Sequence, residues 1–398
     1  MLALSLGAFS CNTENPADKG VSPGDGQTGE VTINLGFGKT PQTQAYPQST
    51  RKPSTSWNQN IHDLQILFVD RGSQMIKAVR ELPLPTAGDI AAKPFVLQNI
   101  PASASPYDVY VIANSGTGNI VRPWEPAGSV GFTIQSRILQ LKEKALGEKP
   151  APPAEDPEKD SKGYEEPSEI FVGVLPNVTV GADQTNDFTG SPIELTRIVS
   201  LLRVRINQSM TASASNQTVD FKTADASFRI RRVGTSIDPQ GLVTFAAPKR
   251  ETAVLYVKGA FNDAEPQSGY GPGSILDPGT GLTLWKDILL FPGGSATTGN
   301  EKFDIVLIGH APATYVPLGK TTAIGGNGGL VAWTGAVQKP VAANGILEVN
   351  LTLNSSGKWI DDPNDPEPGI PTPGAFGNVE INVELVEWGN IESDDIIL

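Results

Sequence analysis

Apolar and polar side chains alternate along short stretches of this chain. Val31, Ile33, Leu35 and Phe37 are separated by Thr32, Asn34 and Gly36; Leu64, Ile66 and Phe68 recur at the same spacing in DLQILFVD, and Val109 and Val111 in YDVYVIANSG. Successive side chains of an extended backbone point to opposite faces, so each stretch predicts a strand with one face toward a core. Gly, Pro and Asn bound the stretches, as strand ends require. One stretch departs from this period. In IQSRILQLKEKAL, Ile134, Ile138, Leu141 and Leu146 fall near helical spacing and predict a single short helix over 134–146 on a β scaffold.

The same pattern divides the chain. Residues 1–29 read as a signal segment and flexible leader, and 30–190 as a first β-sandwich domain. Within it GEKPAPPAEDPEKDSKGYEEPSE (147–169) is rich in proline and charge and has almost nothing to bury. This segment fits either a domain linker or a flexible surface insertion; strand character resumes at once in EIFVGVLPNVTV, which favours the insertion. A boundary near Gly190 precedes PIELTRIVSLLRVRI, and a second β-sandwich domain spans 191–398 through ASFRIRRV, TAVLYVKGAF, FDIVLIGHAP and ILEVNLTLN. The predicted fold class is all-β: two Greek-key β-sandwich domains with a short helix and long loops. No repeat of solenoid or propeller length is present.

The two ends of the chain carry similar strands. VTINLGF (31–37) aligns on VEINVEL (379–385) with valine, isoleucine and asparagine matching, so Val379, Ile381, Val383 and Leu385 stand where Val31, Ile33, Leu35 and Phe37 do. The apolar neighbours Leu385 and Val386 then break the alternation within the strand 378–388. Either segment can lay its apolar side chains into one groove, and burying four such side chains is worth roughly 6–12 kcal/mol as an upper bound. After the first strand comes a polar segment holding Arg51 and Lys52; proline follows Lys52, so a trypsin-like protease would cut after Arg51 and free the strand 31–37. A like-patterned strand from another molecule could refill the groove by strand addition. Donor and acceptor then lie at opposite ends of the chain, which gives an open, head-to-tail series. DDPNDPEPGIPTPG would be a semi-rigid tether before the donor strand.

Composition narrows the partners. The 42 glycines and 33 prolines suit many short strands joined by loops, and the net charge of -13 leaves no basic face for nucleic acid or an anionic membrane surface. The single cysteine, Cys11, has no partner for an internal disulfide or a thiolate metal site. MLALSLGAFS ahead of CNTENPADKG looks like a bacterial lipobox, in which Cys11 would carry the lipid, palmitate for example; the other reading is a stray cysteine in an ordinary signal segment.

Candidate chemistry is sparse. His62 and His310 stand without HExxH, GxSxG or CxxC patterns, and the glycine clusters at 114–119 and 324–330 lack phosphate-loop spacing. Asp361, Asp362, Asn364, Asp365 and Glu367 offer oxygen ligands, but prolines fix the backbone there and the segment reads as a stiff acidic linker. Trp57, Trp124, Trp285, Trp333, Trp359 and Trp388 fit core or loop anchoring better than a glycan platform. No residue pair is singled out for glycoside hydrolysis. We expect no enzyme, no cofactor and no metal.

Taken in order, these parts resemble the fimbrillins, shaft subunits of type V pili in Bacteroidota, and most nearly the major subunit of the minor (short) fimbrium. The likeness runs from Cys11 through Val31–Phe37, Arg51, LQILFVD, VYVIANSG and LTRIVSLLRVRI to GKWIDDPNDPEPG and the strand ending in Trp388. The resemblance implies two transthyretin-like β domains and export as an outer-membrane lipoprotein precursor anchored by lipid before maturation. It also implies cleavage after Arg51 by an Arg-specific protease, and donor-strand exchange with identical or related fimbrial subunits into a cell-surface fimbrium. A host or bacterial surface ligand is a further expected partner. The alternative is a surface adhesin or glycan-binding lipoprotein that does not polymerise, with a fimbrial tip or anchor subunit between the two.

Overall fold

The computed structural model describes residues 27–37, 61–84, 94–116, 118–144, 162–207, 218–244, 253–258, 262–263, 283–294, 302–337, 339–353, 355–365 and 379–387. In chain order the first strands are β1 (Thr28–Ile33), β2 (Leu35–Phe37), β3 (Asp63–Asp70), β4 (Ile76–Pro83), β5 (Phe95–Pro101), β6 (Ser103–Ala113), β7 (Ile120–Val121), β8 (Leu139–Leu141), β9 (Glu143–Lys144), β10 (Lys162–Tyr164), β11 (Phe171–Val180), β12 (Thr185–Asp187) and β13 (Ile193–Arg197). They continue as β14 (Ser200–Asn207), β15 (Ser227–Arg231), β16 (Ser236–Ile237), β17 (Val243–Thr244), β18 (Ala253–Lys258), β19 (Asn262–Asp263), β20 (Thr283–Leu290), β21 (Asp304–Ala311), β22 (Gly329–Ala336), β23 (Gly345–Leu353), β24 (Lys358–Trp359) and β25 (Val379–Glu387). The protein is all-β, and no helix reaches seven residues among the described residues.

A six-stranded sheet, β2-β13-β11-β6-β3-β4, faces a three-stranded sheet, β12-β1-β5. Between them lies a core of Val31, Ile33, Ile66, Phe68, Leu97, Val109, Phe171 and their neighbours, each at most 2% exposed. Gly173 lets β13 lie close on β11: a Cβ there would come 2.7 Å from Ile193 Cγ2 and 2.8 Å from the Glu194 carbonyl oxygen. In the second half a seven-stranded sheet, β24-β22-β21-β15-β18-β10-β9, and a five-stranded one, β19-β20-β14-β23-β25, enclose Leu202, Val204, Phe228, Leu307, Trp333 and Val349. This second core is continuous with Leu67, Val69, Tyr110 and Ile112 on the outer face of the six-stranded sheet. The two halves therefore share buried surface.

Three expectations are corrected. The predicted helix is absent over the described residues 134–144: Ile134–Ser136 is one 3₁₀ turn, and β8 and β9 follow it. Leu139 and Leu141 are buried on either side of half-buried Gln140, so period two prevails over the apparent helical spacing. The segment 147–169 is not wholly a flexible insertion, because β10 pairs parallel with β18 and antiparallel with β9, and Tyr164 is 4% exposed. The boundary near Gly190 falls too early: β13 pairs with β11 and β2 in the first half, and the chain crosses over at Ile198–Val199.

Candidate functional site: the seat of the first strand

The first strand is split between two sheets. β1 lies between β5, antiparallel with Val31 opposite Leu97, and β12, parallel with Val31 opposite Asn186. At Asn34 the chain crosses the sandwich, and β2 becomes the edge strand of the six-stranded sheet, with Leu35 opposite Ile193 and Phe37 opposite Leu195. Asn34 makes the joint: its carbonyl accepts the Ile193 N–H at 2.8 Å and its side-chain amide donates to the Thr189 carbonyl at 3.0 Å.

Val31 and Ile33 are fully buried and Leu35 is 1% exposed, against Leu97, Ile100, Val178, Val180, Ile193 and Leu195. At roughly 1.5–3 kcal/mol for each buried aliphatic side chain, these residues make the seat cohesive. Backbone bonds close it on both sides: Glu30 N–H donates to Gln184 O at 2.9 Å, and Asp183, Phe188 and Ala102 N–H donate to Thr28, Thr32 and Gln27 O at 2.8 Å. The Asn186 amide donates to Glu30 O at 3.0 Å. Gly29 is required here, since a Cβ would run into the Gly181 carbonyl oxygen. At the end of β12 the Asp187 carboxyl accepts the Thr189 N–H at 2.9 Å, and this bond, with one from the Thr189 side chain, holds its pKa below the ordinary value. On the other wall, one residue of β1, Glu30, opposes two of β5, Gln98 and Asn99, which form a bulge with Asn99 at φ 57°.

The seat's far end holds a buried ion pair that sequence reading missed. Arg197, the last residue of β13, is 1% exposed, and its Nη2 lies 2.7 Å from Glu169 Oε1. Burial depresses the Arg197 pKa to about 10 and, outweighing the attraction of Arg197, raises that of Glu169. One charge in the run LTRIVSLL gave no sign of a partner so far away in sequence.

The C-terminal strand lies elsewhere. β25 runs antiparallel to β23 at the edge of the five-stranded sheet, with Val379, Ile381, Val383 and Leu385 opposite Leu353, Leu351, Val349 and Leu347. The pairing continues without a shift through Val386 and Glu387. Asn382, the counterpart of Asn34, sits inside this unbroken strand opposite Asn350.

Of the remaining sequence candidates, Cys11, Arg51, Lys52, Trp57, Glu367 and Trp388 lie outside the described residues. His62 is exposed, and His310 bridges Asp220 through the backbone. Asp362 pairs with Lys320 at 2.9 Å and Asp365 with Lys358 at 3.7 Å, while Asp361 accepts the Leu330 N–H at 2.9 Å. Trp124 and Trp333 are buried, and their indole N–H groups donate to the carbonyls of Ile138 and Ser355 at 2.8 Å. Among the described residues no helix is long and apolar enough to cross a membrane.

No family model and no curated protein matches this chain. Solved structures do. A protein from Parabacteroides distasonis, described as a putative cell adhesion protein, superposes with a TM-score of 0.50 at 12% identity over 92% of this chain and 99% of its own. Another so described, from Bacteroides eggerthii, gives 0.46 at 13% over 91% and 97%. A fimbrilin (FimA) from Porphyromonas gingivalis gives 0.45 at 13% over 91% and 98%. The first superposition shows a shared fold across nearly the whole of both chains.

Proposed function

We propose that this chain is a non-enzymatic, self-assembling structural subunit of a cell-surface fimbrium, and that its first strand is a provisional occupant of the seat. One observation carries the reading: β1 is the middle strand of a three-stranded sheet, and the polar segment with Arg51 and Lys52 follows β2 in sequence. A cut after Arg51 by a trypsin-like or Arg-specific protease severs the covalent link between the strand and the rest of the chain. Its loss deprives β5 and β12 of their common partner and exposes their edges. The C-terminal strand of a neighbouring copy, alike in pattern, fills the place by strand addition, and the contact propagates head to tail. The sequence resemblance to fimbrillins and the fold shared with the Parabacteroides structure support this surface role. Export as a lipoprotein through Cys11, with an outer-membrane lipid anchor before maturation, belongs to the same reading.

A second reading has its own observation. β25 is seated along the whole of β23 in its own chain, which favours a surface adhesin that keeps its strand and does not polymerise.

Treatment with an Arg-specific protease separates the two. Fimbrial assembly requires a new N-terminus at Lys52 and ladders on unheated SDS gels, both abolished by Arg51→Ala. Should the cut chain stay monomeric, or should ladders survive deletion of 378–398, assembly by strand exchange fails and the adhesin reading stands.

A further inference from the structure

β5 has a single ladder partner, β1, and stands at the edge of its sheet. Its bulge turns the carbonyls of Gln98 and Asn99 toward Arg80 of β4, the edge strand of the opposite sheet. Arg80 is 6% exposed, and its guanidinium donates to backbone oxygens: Nε and Nη2 donate to Gln98 O at 3.1 and 2.5 Å, Nη2 to Asn99 O at 2.8 Å, and Nη1 to Val79 O at 2.7 Å. At the end of β5 the hydroxyl of Tyr107, in β6, donates to Pro101 O at 3.0 Å, with the Tyr107 ring edge-on to Phe68 at 5.8 Å. The bonds to Gln98, Asn99 and Pro101 join β5 to the six-stranded sheet and do not involve β1.

We infer that Arg80, assisted by Tyr107, is a positioning residue that keeps β5 in place when the first strand leaves, so that the seat stays shaped for the strand that replaces it. The inference rests on the strand-exchange reading above. The guanidinium fork suits the task because its several donors, fixed in one plane, reach carbonyls on two strands at once; a lysine ammonium keeps the charge but not the fork. A seat that collapsed on losing β1 would have to be rebuilt by each incoming strand, and binding would be weakened by the ordering required.

The test compares wild type, Arg80→Lys and Tyr107→Phe, each as the intact chain and after cutting at Arg51 and removal of the 1–51 fragment. Chymotrypsin cleavage at Phe95 or Leu97 reports whether β5 is held, and titration with a peptide of residues 378–398 reports whether the seat receives a strand. Intact, all three chains are expected to resist chymotrypsin equally, because β1 still pairs with β5. Without the fragment, wild type is expected to remain resistant, Arg80→Lys to be cut at least tenfold faster and to bind the peptide at least tenfold more weakly, and Tyr107→Phe to fall between. Equal cleavage rates after removal, or wild type as labile as Arg80→Lys, overturn the inference. If intact Arg80→Lys is already labile, the comparison passes to Tyr107→Phe, and equality with wild type overturns it. If the chymotrypsin contrast holds but wild type ignores the peptide, strand exchange fails and the clamp stands.

Discussion

Arg197 and Glu169 illustrate how a charge pair can be tight and still not add net stability. Their oxygen and nitrogen are 2.7 Å apart, yet burial has pushed both pKa values toward the neutral forms. Removing either partner alone strands the other, at a cost of about 3–5 kcal/mol, whereas Arg197→Met with Glu169→Leu is expected to be near neutral or stabilising. A denaturant-based double-mutant cycle reads the difference. The pH dependence follows from the directions. A carboxyl whose folded pKa is raised contributes stability that is full below its ordinary value of 4.5 and is lost as pH rises through the folded value. Wild type is therefore expected to lose stability relative to Glu169→Gln as pH rises from 4.5; a flat difference would show that Glu169 does not titrate in this way. Gly29 allows another single-residue test, of the seat itself. Gly29→Ala drives a Cβ against the Gly181 carbonyl and should weaken seating by about 1–3 kcal/mol, seen as faster loss of the 1–51 fragment after cutting. At this scale the sequence made Val31, Ile33 and Leu35 legible, because burial on one face imposes the alternation. Arg80 and Arg197 were not legible, because their partners are backbone oxygens and a residue distant in sequence.

Elements were legible where an alternation fell within a long strand, as in β3 and β6, and illegible where the pairing was short. The stretch 134–146 shows why. Ile134, Ile138, Leu141 and Leu146 suggested a helix, but Leu139, omitted from that reading, is fully buried, while Ile138 is only half-buried and its carbonyl accepts the Trp124 indole N–H. A strand and a helix make different demands on these residues. For the strand, Leu139→Ala is expected to cost about 2–5 kcal/mol and Ile138→Ala clearly less. Equal losses at both positions, measured by denaturant unfolding, would instead favour the helical face. β10 escaped notice for a related reason: it lies in a segment whose composition is that of a linker, and only Tyr164 is a large apolar side chain within it. The end strands give a subtler case. Their sequence likeness is real, but β1 and β2 break at Asn34 to serve two sheets, whereas β25 passes Asn382 without a break. A donor strand entering the seat must therefore bend where β25 now runs straight.

At the scale of the whole molecule, the pairings that matter most join residues far apart in the chain, and no local period announces them. β9 and β10 belong by sequence to the first half and by hydrogen bonding to the seven-stranded sheet of the second. β7 and β8 likewise share a four-stranded sheet with β16 and β17. With one buried cluster running from Leu67 and Ile112 to Val349 and Trp333, neither half can unfold without stripping apolar cover from the other. The intact chain should consequently melt in a single calorimetric transition whose van't Hoff and calorimetric enthalpies agree. The three-stranded sheet stands outside this shared cluster, since its Val31, Ile33, Leu97 and Ile100 pack in a separate one with the inner face of the six-stranded sheet. Cutting at Arg51 and removing the 1–51 fragment is thus expected to act on the first half alone: β5 stays clamped at room temperature, a separate lower-temperature transition appears on heating, the main one persists, and adding the 378–398 peptide abolishes the first without moving the second. Two transitions in the uncut chain would mean that the shared core does not couple the halves, and a cut chain that still melts in one step would mean that the first strand is not the separable part of the fold.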